Sequence, residues 1–393
     1  MRTAPLWANA TLVSASEPPL DFKVSLEDIA SETGRLVDRD LSDYEADGTR
    51  FQPDDVLFGK LRPYLAKHWL ADREGTAGGD IHVYRPEPGV DPRYLSYVVG
   101  SRNFARFAEA ASKGTKMPRA EWMSLREYPV TQFAPAVQRA IADHLDRETG
   151  EIDTILGKLH LLTGLLQDRA RIVQTGSVFG LASGDGHAPG DASSPLSGVP
   201  EHWGRTKFGF DFIESTERSG ESPPGPLLSI SERRGVELNT RTEGQQASLD
   251  VSNYRVVRPG QLAANMMWLN HGGLGVSSLT GYISPDYKAF WISERFEPRY
   301  VHYLFRSSRY IGYFSAIATG VRPNAQRVTK TVLDATPVPL PPRDEQARIA
   351  NRLDDAIGKI DAMLAKVSDL RSLLLEHRAA LITEVVTGRK EAE

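Results

Sequence analysis

QRAIADHLDRETGEIDTILGKLHLLTGLLQDRA, residues 138–170, returns as QARIANRLDDAIGKIDAMLAKVSDLRSLLLEHR, residues 346–378. Every matched pair lies 208 positions apart: Gln138 with Gln346, Ile141 with Ile349, Leu145 with Leu353, Asp146 with Asp354, Ile152-Asp153 with Ile360-Asp361, and Leu165-Leu166 with Leu373-Leu374. The match runs on through Thr175, Val178 and Gly180, opposite Thr383, Val386 and Gly388. A repeat of this length means duplicated architecture, so the chain is read as two halves, each a globular unit followed by a long helix.

Leu145, Ile152, Leu159, Leu166 and Val173 recur every seven residues in the first copy, and Leu353, Ile360, Val367, Leu374 and Leu381 in the second. Ile155 and Leu162, with Met363 and Leu370, are expected beside them as the second seam position, and His377 as a partly buried packing residue. A seven-residue period sustained over four heptads favours a supercoiled partner over a straight surface helix. The two copies, with matched seams, are expected to pack on each other; packing of each on its own globular half is the alternative. Pro135 and Pro341-Pro342 suit helix starts, where no intrahelical donor is needed. Each helix should then run for about 38 residues, roughly 57 Å.

The flanking sequence organises around these helices. Residues 1–130 form a first unit, 131–182 the first long helix, 183–198 (SGDGHAPGDASSPLSG) a flexible linker, 199–337 a second unit, 338–388 the second long helix, and 389–393 a tail. Strands are expected at Val56-Leu57-Phe58 and at Ile81-His82-Val83-Tyr84, and one helix over residues 92–111. That helix has a partner at 298–314, and both open with Pro-Arg-Tyr. The globular halves are therefore duplicates too. Their remaining sequence diverges, as two binding modules for different targets would require.

With 393 residues the chain can hold two or three cored domains. It has 47 basic and 51 acidic residues and a net charge of −4, which excludes a polybasic, charge-only nucleic-acid binder but not a specific one with local basic patches. The absence of cysteine excludes disulfides, thiolate zinc sites and cysteine nucleophiles. MRTAPLWANA has no signal-peptide core and no apolar run reaches membrane length, so a cytoplasmic protein with no membrane partner is expected. No phosphate-binding Gly-x-x-x-x-Gly-Lys-Ser/Thr loop occurs, and the nine histidines are scattered without metal-ligand spacing. No catalysis and no bound metal are expected.

Several segments combine side chains suited to nucleic acid. Lys113, Thr115, Lys116 and Arg119 lie in a Gly-hinged basic loop after the first Pro-Arg-Tyr helix. Its counterpart holds Arg322, Asn324, Gln326 and Arg327, and Arg, Asn and Gln are shaped for bidentate base contacts. Lys60 and Arg62 are candidates for phosphate contact, or for surface ion pairs with the acidic stretch 38–47. In the second unit, Asn265 and Asn270 are the better candidates of the run Asn265–Gly273, whose Met266, Met267 and Trp268 read as core. Arg233 could touch phosphate or simply be solvated. For each residue the competing reading is an ordinary solvated connection.

Taken together the arrangement resembles the specificity subunit of type I restriction-modification systems, over nearly the whole chain. Residues 339–346 (PLPPRDEQ) leading into Ile349, Leu353 and Ile360 carry the resemblance most specifically, with residues 381–388 (LITEVVTG), 199–203 (VPEHW), 258–262 (RPGQL) and 281–287 (GYISPDY). Phe133-Ala134 and Val137 depart from it at the first helix start. The resemblance implies an α+β chain in which two target-recognition domains are separated by two long helices forming an antiparallel coiled coil. It implies a double-stranded DNA partner with a bipartite site, and two methyltransferase subunits docked on the coiled coil. It leaves room for restriction (translocase/endonuclease) subunits. S-adenosylmethionine and ATP would sit on those partners. The competing hypothesis is a non-catalytic scaffold whose coiled coil joins two protein-binding heads.

Overall fold

The computed structural model describes residues 2–37, 45–114, 116–181, 194–232, 234–240, 250–319 and 327–391. The chain divides into two compact units, 1–161 with 367–393, and 162–366. Both divisions fall inside long helices, Pro135–Val178 and Arg343–Val386, each 44 residues and about 66 Å long.

In the first unit a four-stranded antiparallel sheet has the order Ala10–Val13, Ile81–Pro86, Val56–Gly59, His68–Leu70. Val56, Phe58 and Tyr84 point from it into a core shared with Leu95, Val98 and Phe104. Phe104 meets Phe58 edge-on at 5.0 Å and Tyr128 at 4.9 Å. The second unit repeats the order with Phe212–Ser215, Tyr287–Ile292, Leu262–Asn265 and Leu274–Val276. A two-stranded ribbon closes each unit, Thr3–Pro5 with Pro129–Thr131 and Gly204–Lys207 with Pro337–Leu340. The peripheral strands differ: a second four-stranded sheet in the first unit, two separate pairs in the second.

The single helix expected over 92–111 is two, Pro92–Val99 and Arg102–Ala110. The Ser101 hydroxyl accepts from the Phe104 amide and starts the second helix. Ser307 breaks the second unit's helix in the same way, into Pro298–Phe305 and Ser308–Ile317. A local side-chain cap thus overrides a continuous apolar period.

One fastening fixes each Pro-Arg-Tyr helix to the long helices. In the first unit Gln138 Oε1 accepts from the Asp91 amide at 2.9 Å. Asp146 accepts from Arg93 at 2.8 Å and from the Tyr97 hydroxyl at 2.6 Å. Tyr94 donates to the carbonyls of Thr131 and of Val386, the last residue of the second long helix. In the second unit Gln346 accepts from the Glu297 amide at 2.8 Å. Asp354 accepts from Arg299 at 2.6 Å and Tyr303 at 2.7 Å, and Tyr300 donates to Val178 at the end of the first long helix.

Within each unit the two long helices pack antiparallel. In the first, Ile141 and Leu145 share a core with Leu381, Ile382, Val385 and Val386. In the second, Leu166 and Ala170 pack on Ile360 and Leu364, and Val173 lies against the core containing Ile349 and Leu353. Leu145, Ile152, Leu166, Leu353 and Ile360 are buried, and Leu159, Val367 and Leu374 half-buried. The other expected seam positions are corrected: Ile155, Leu162, Met363 and Leu370 are exposed. The seam continues four residues on, not three, through Thr149, Leu156, Leu364 and Arg378. The sequence offers apolar residues at both spacings (Ile155-Leu156 and Met363-Leu364), so packing chooses between them. The seam arginine Arg378, beside the exposed His377, donates to the Glu32 and Thr33 carbonyls at 2.7 and 3.0 Å and forms an ion pair with Asp153 at 3.3 Å.

Candidate nucleic-acid interface

In the first unit two loops some fifty residues apart are joined by their backbones. The strand Val56–Gly59 ends in a loop closed by Gly59 N–H to Lys67 O at 2.8 Å. Inside it Arg62 and Ala66 flank a short 3₁₀ turn, Pro63–Leu65. Both have left-handed backbones, φ +51° and +46°, a conformation costing of order 1 kcal/mol or more in a residue with a side chain. The Arg62 amide donates to Pro118 O at 2.8 Å, and the Ala120 amide to Lys60 O at 2.9 Å. Lys113 and Arg119 exchange backbone hydrogen bonds at 2.9 and 3.0 Å across the hairpin that Gly114, with φ +100°, helps turn.

Lys60, Arg62, Lys113, Lys116 and Arg119 are thereby gathered on linked loops. Four are exposed and Lys60 is half-buried. Arg119 also pairs with Asp80 at 2.6 Å. Thr115 lies outside the described residues, as do 38–44 of the acidic stretch proposed for Lys60 and Arg62. Two further arginines were not singled out from sequence. Arg102 and Arg106 line a depression of about 300 Å³ with Tyr64, Ala66 and Glu109. Their i, i+4 spacing opposite Phe104 and Phe107 was the available signal.

Buried histidines beneath these loops carry no charge at neutral pH. Burial, helped by nearby Lys60, takes His82 down to about 3. Burial takes His68 to about 4, against the hydrogen bond to the Ala66 carbonyl and with a small contribution from Arg378. The local positive charge is that of the lysines and arginines.

The second unit builds a similar pair of loops, 206 positions later for the first loop and 208 by the far side of the second. The Asn265 amide donates to Gly273 O at 2.7 Å, and the 3₁₀ turn is Leu269–His271. Gly272, φ +72°, stands in the place of Ala66. The Val328 amide donates to Met266 O, and Thr319 pairs with Arg327. Arg306 donates to the carbonyls of Ser231, Glu232, Gly272 and Leu274, pinning the loop; burial lowers its guanidinium to about 10, still charged.

The expectation for this loop is corrected in part. Asn265 is only 8 % exposed, and its side-chain oxygen accepts from the Met267 amide, which shapes the turn. Met266 is core, but Met267 and Trp268 are 44 % and 52 % exposed. An apolar residue at the tip of a tight turn has no core to enter. Asn270 is half-buried and Arg327 exposed. Arg233, Arg322, Asn324 and Gln326 lie outside the described residues.

Comparison with known proteins follows these features. No family model matches the chain. The EcoBI type I restriction enzyme specificity subunit of Escherichia coli is 34 % identical over 83 residues, which span 21 % of this chain and 18 % of that protein. A chain from a structure of type I R-M system assembly and conformational transition superposes with a TM-score of 0.63 at 17 % identity, covering 98 % of this chain and 97 % of its own. The HsdS subunit from Thermoanaerobacter tengcongensis gives 0.45 at 17 % identity, over 98 % of this chain and 95 % of that one. The chain shares the fold of that type I R-M system chain: two α+β units and a pair of long helices. No helix among the described residues is long and apolar enough to cross a membrane.

Proposed function

We propose that this chain is the non-catalytic DNA-specificity subunit of a type I restriction-modification complex, and that each unit reads one half of a bipartite double-stranded site. The observation that carries this reading is the joining of Lys60, Arg62, Lys113, Lys116 and Arg119 on one pair of backbone-linked loops, in a chain whose net charge is negative. Such a cluster supplies phosphate affinity and arginines with the geometry for guanine edges. The second unit carries the same loop pair.

The long helices support the second half of the proposal, docking of methyltransferase subunits. The residues turned away from the seam form an apolar stripe that is itself duplicated: Ile155, Leu162 and Leu165 on one helix, Met363, Leu370 and Leu373 on the other, all exposed. Leu165 and Leu373 are 68 % and 63 % exposed. Apolar surface kept in the same three places of both copies suits two copies of one partner. S-adenosylmethionine and ATP would be carried by partner subunits, restriction subunits among them where present.

The test is the methylation pattern of the host genome with and without the chain. Loss of one split motif is expected; an unchanged pattern would overturn the proposal.

A further inference from the structure

The two loop pairs share their connectivity but differ at the head of the 3₁₀ turn, where Arg62 is left-handed at φ +51° and Trp268 has φ −129°, and they differ in side-chain chemistry. Taking equivalent positions, Lys60 is replaced by Met266, Arg62 by Trp268, Arg102 by Ser308, Arg106 by Gly312 and Lys113 by Thr319. Among the described positions of this cluster only Arg119 keeps its charge, as Arg327. Trp268 takes the place of Arg62 at the head of the 3₁₀ turn, and half of its surface is in water.

That exposure is built into the loop. The Trp268 amide donates to Asn265 O, and its carbonyl accepts from the His271 and Gly273 amides at 3.0 and 2.8 Å. A Cβ on Gly273 would stand 2.7 Å from the Trp268 carbonyl oxygen and 2.8 Å from its Cβ, so only glycine fits there. Gly272 supplies the left-handed residue, and Arg306 ties the end of the loop, through the Gly272 and Leu274 carbonyls, to those of Ser231 and Glu232. The His271 ring packs 4.9 Å from the indole. A rigid turn that holds an indole and a thioether outward gives up apolar burial in the free protein. A ligand with apolar faces recovers it.

We propose that the second unit reads its half-site by apolar contact, with Trp268 and Met267 against base faces or thymine methyl groups, where the first unit uses cationic side chains. This rests on the reading of the chain as a DNA-specificity subunit. Base contact by aromatic and apolar side chains discriminates by shape and carries no counterion release. The two half-sites therefore differ in how salt affects their recognition.

The test uses the full chain assembled with its methyltransferase partner and duplexes carrying the cognate site, or that site with either half scrambled. Trp268→Ala should weaken cognate binding by roughly tenfold or more, in line with the loss of one large buried apolar side chain from the interface. The loss should vanish on the duplex whose second-unit half is scrambled, and the slope of affinity against salt should not change. Trp268→Phe should keep most of the affinity. Since the indole is exposed, unchanged thermal unfolding of Trp268→Ala is expected and checks that the fold is kept. Cognate binding equal to that of the parent would overturn the assignment. So would an equal loss on cognate and scrambled duplexes with a shallower salt slope, the signature of a phosphate contact. If the parent complex prefers no duplex over another, the specificity-subunit reading itself fails, and this inference with it.

Discussion

Asp146 and Asp354 each gather an arginine and a tyrosine from a Pro-Arg-Tyr helix onto a long helix. The ion pairs are partly exposed, so most of their value lies in the tyrosine hydrogen bonds to a charged acceptor. Asp354→Ala should cost about 1–2 kcal/mol in denaturant unfolding, and Asp354→Asn distinctly less. Acid sensitivity has a separate residue-level origin. His68, His82 and His302 are held neutral by burial, at about 4, 3 and 4 against an ordinary 6.5. Their folded values are depressed, so the unfolded chain takes up protons first as pH falls. This part of the stability is complete above pH 6.5 and is lost as pH drops towards 4. Unfolding free energy measured from pH 7 to pH 4.5 should decline, and His68→Gln should make the decline shallower; an unchanged slope would contradict the assignment. At this scale the sequence was half legible. Gln138/Gln346, Asp146/Asp354 and the twin Pro-Arg-Tyr triplets stood out as matches, but their bonds to one another span 47 to 55 residues and carry no local signature. That the Asn265 side-chain oxygen accepts from the Met267 amide was not legible, because only the folded turn brings the two together.

The long helices were the most readable elements, since a heptad repeat reports burial directly. One seam position followed; the other was hidden because apolar residues stand at both +3 and +4. That ambiguity separates two kinds of leucine with different expected phenotypes. Leu145→Ala empties a fully buried site and should cost about 2–4 kcal/mol, read by denaturant unfolding. Leu162→Asp with Leu370→Asp changes exposed residues and should shift stability by less than about 0.5 kcal/mol each. The same pair should abolish co-purification of the methyltransferase subunit. Retained co-purification would show that the duplicated stripe serves some other purpose. The break at Ser101 and Ser307 illustrates the converse: hydrophobic period alone could not show that a serine cap would divide the helix.

For the whole molecule, the proposed function predicts modular reading, with one unit per half-site and the long helices setting the unread gap. Matched insertion of one helical turn in both long helices, ~4 residues or ~6 Å, should change the unread gap by about one to two base pairs. A gap that stays constant would remove the helices from that role. Fold and duplication were legible because they rest on long periodic segments. The proposed reading surfaces were not, because they arise where loops about 50 residues apart are stitched together by backbone hydrogen bonds. The most direct measurement replaces residues 196–337 with the corresponding unit of a related specificity subunit and maps methylation across the host genome. One half of the split motif should change while the other half is kept. A change in both halves, or in neither, would contradict the account.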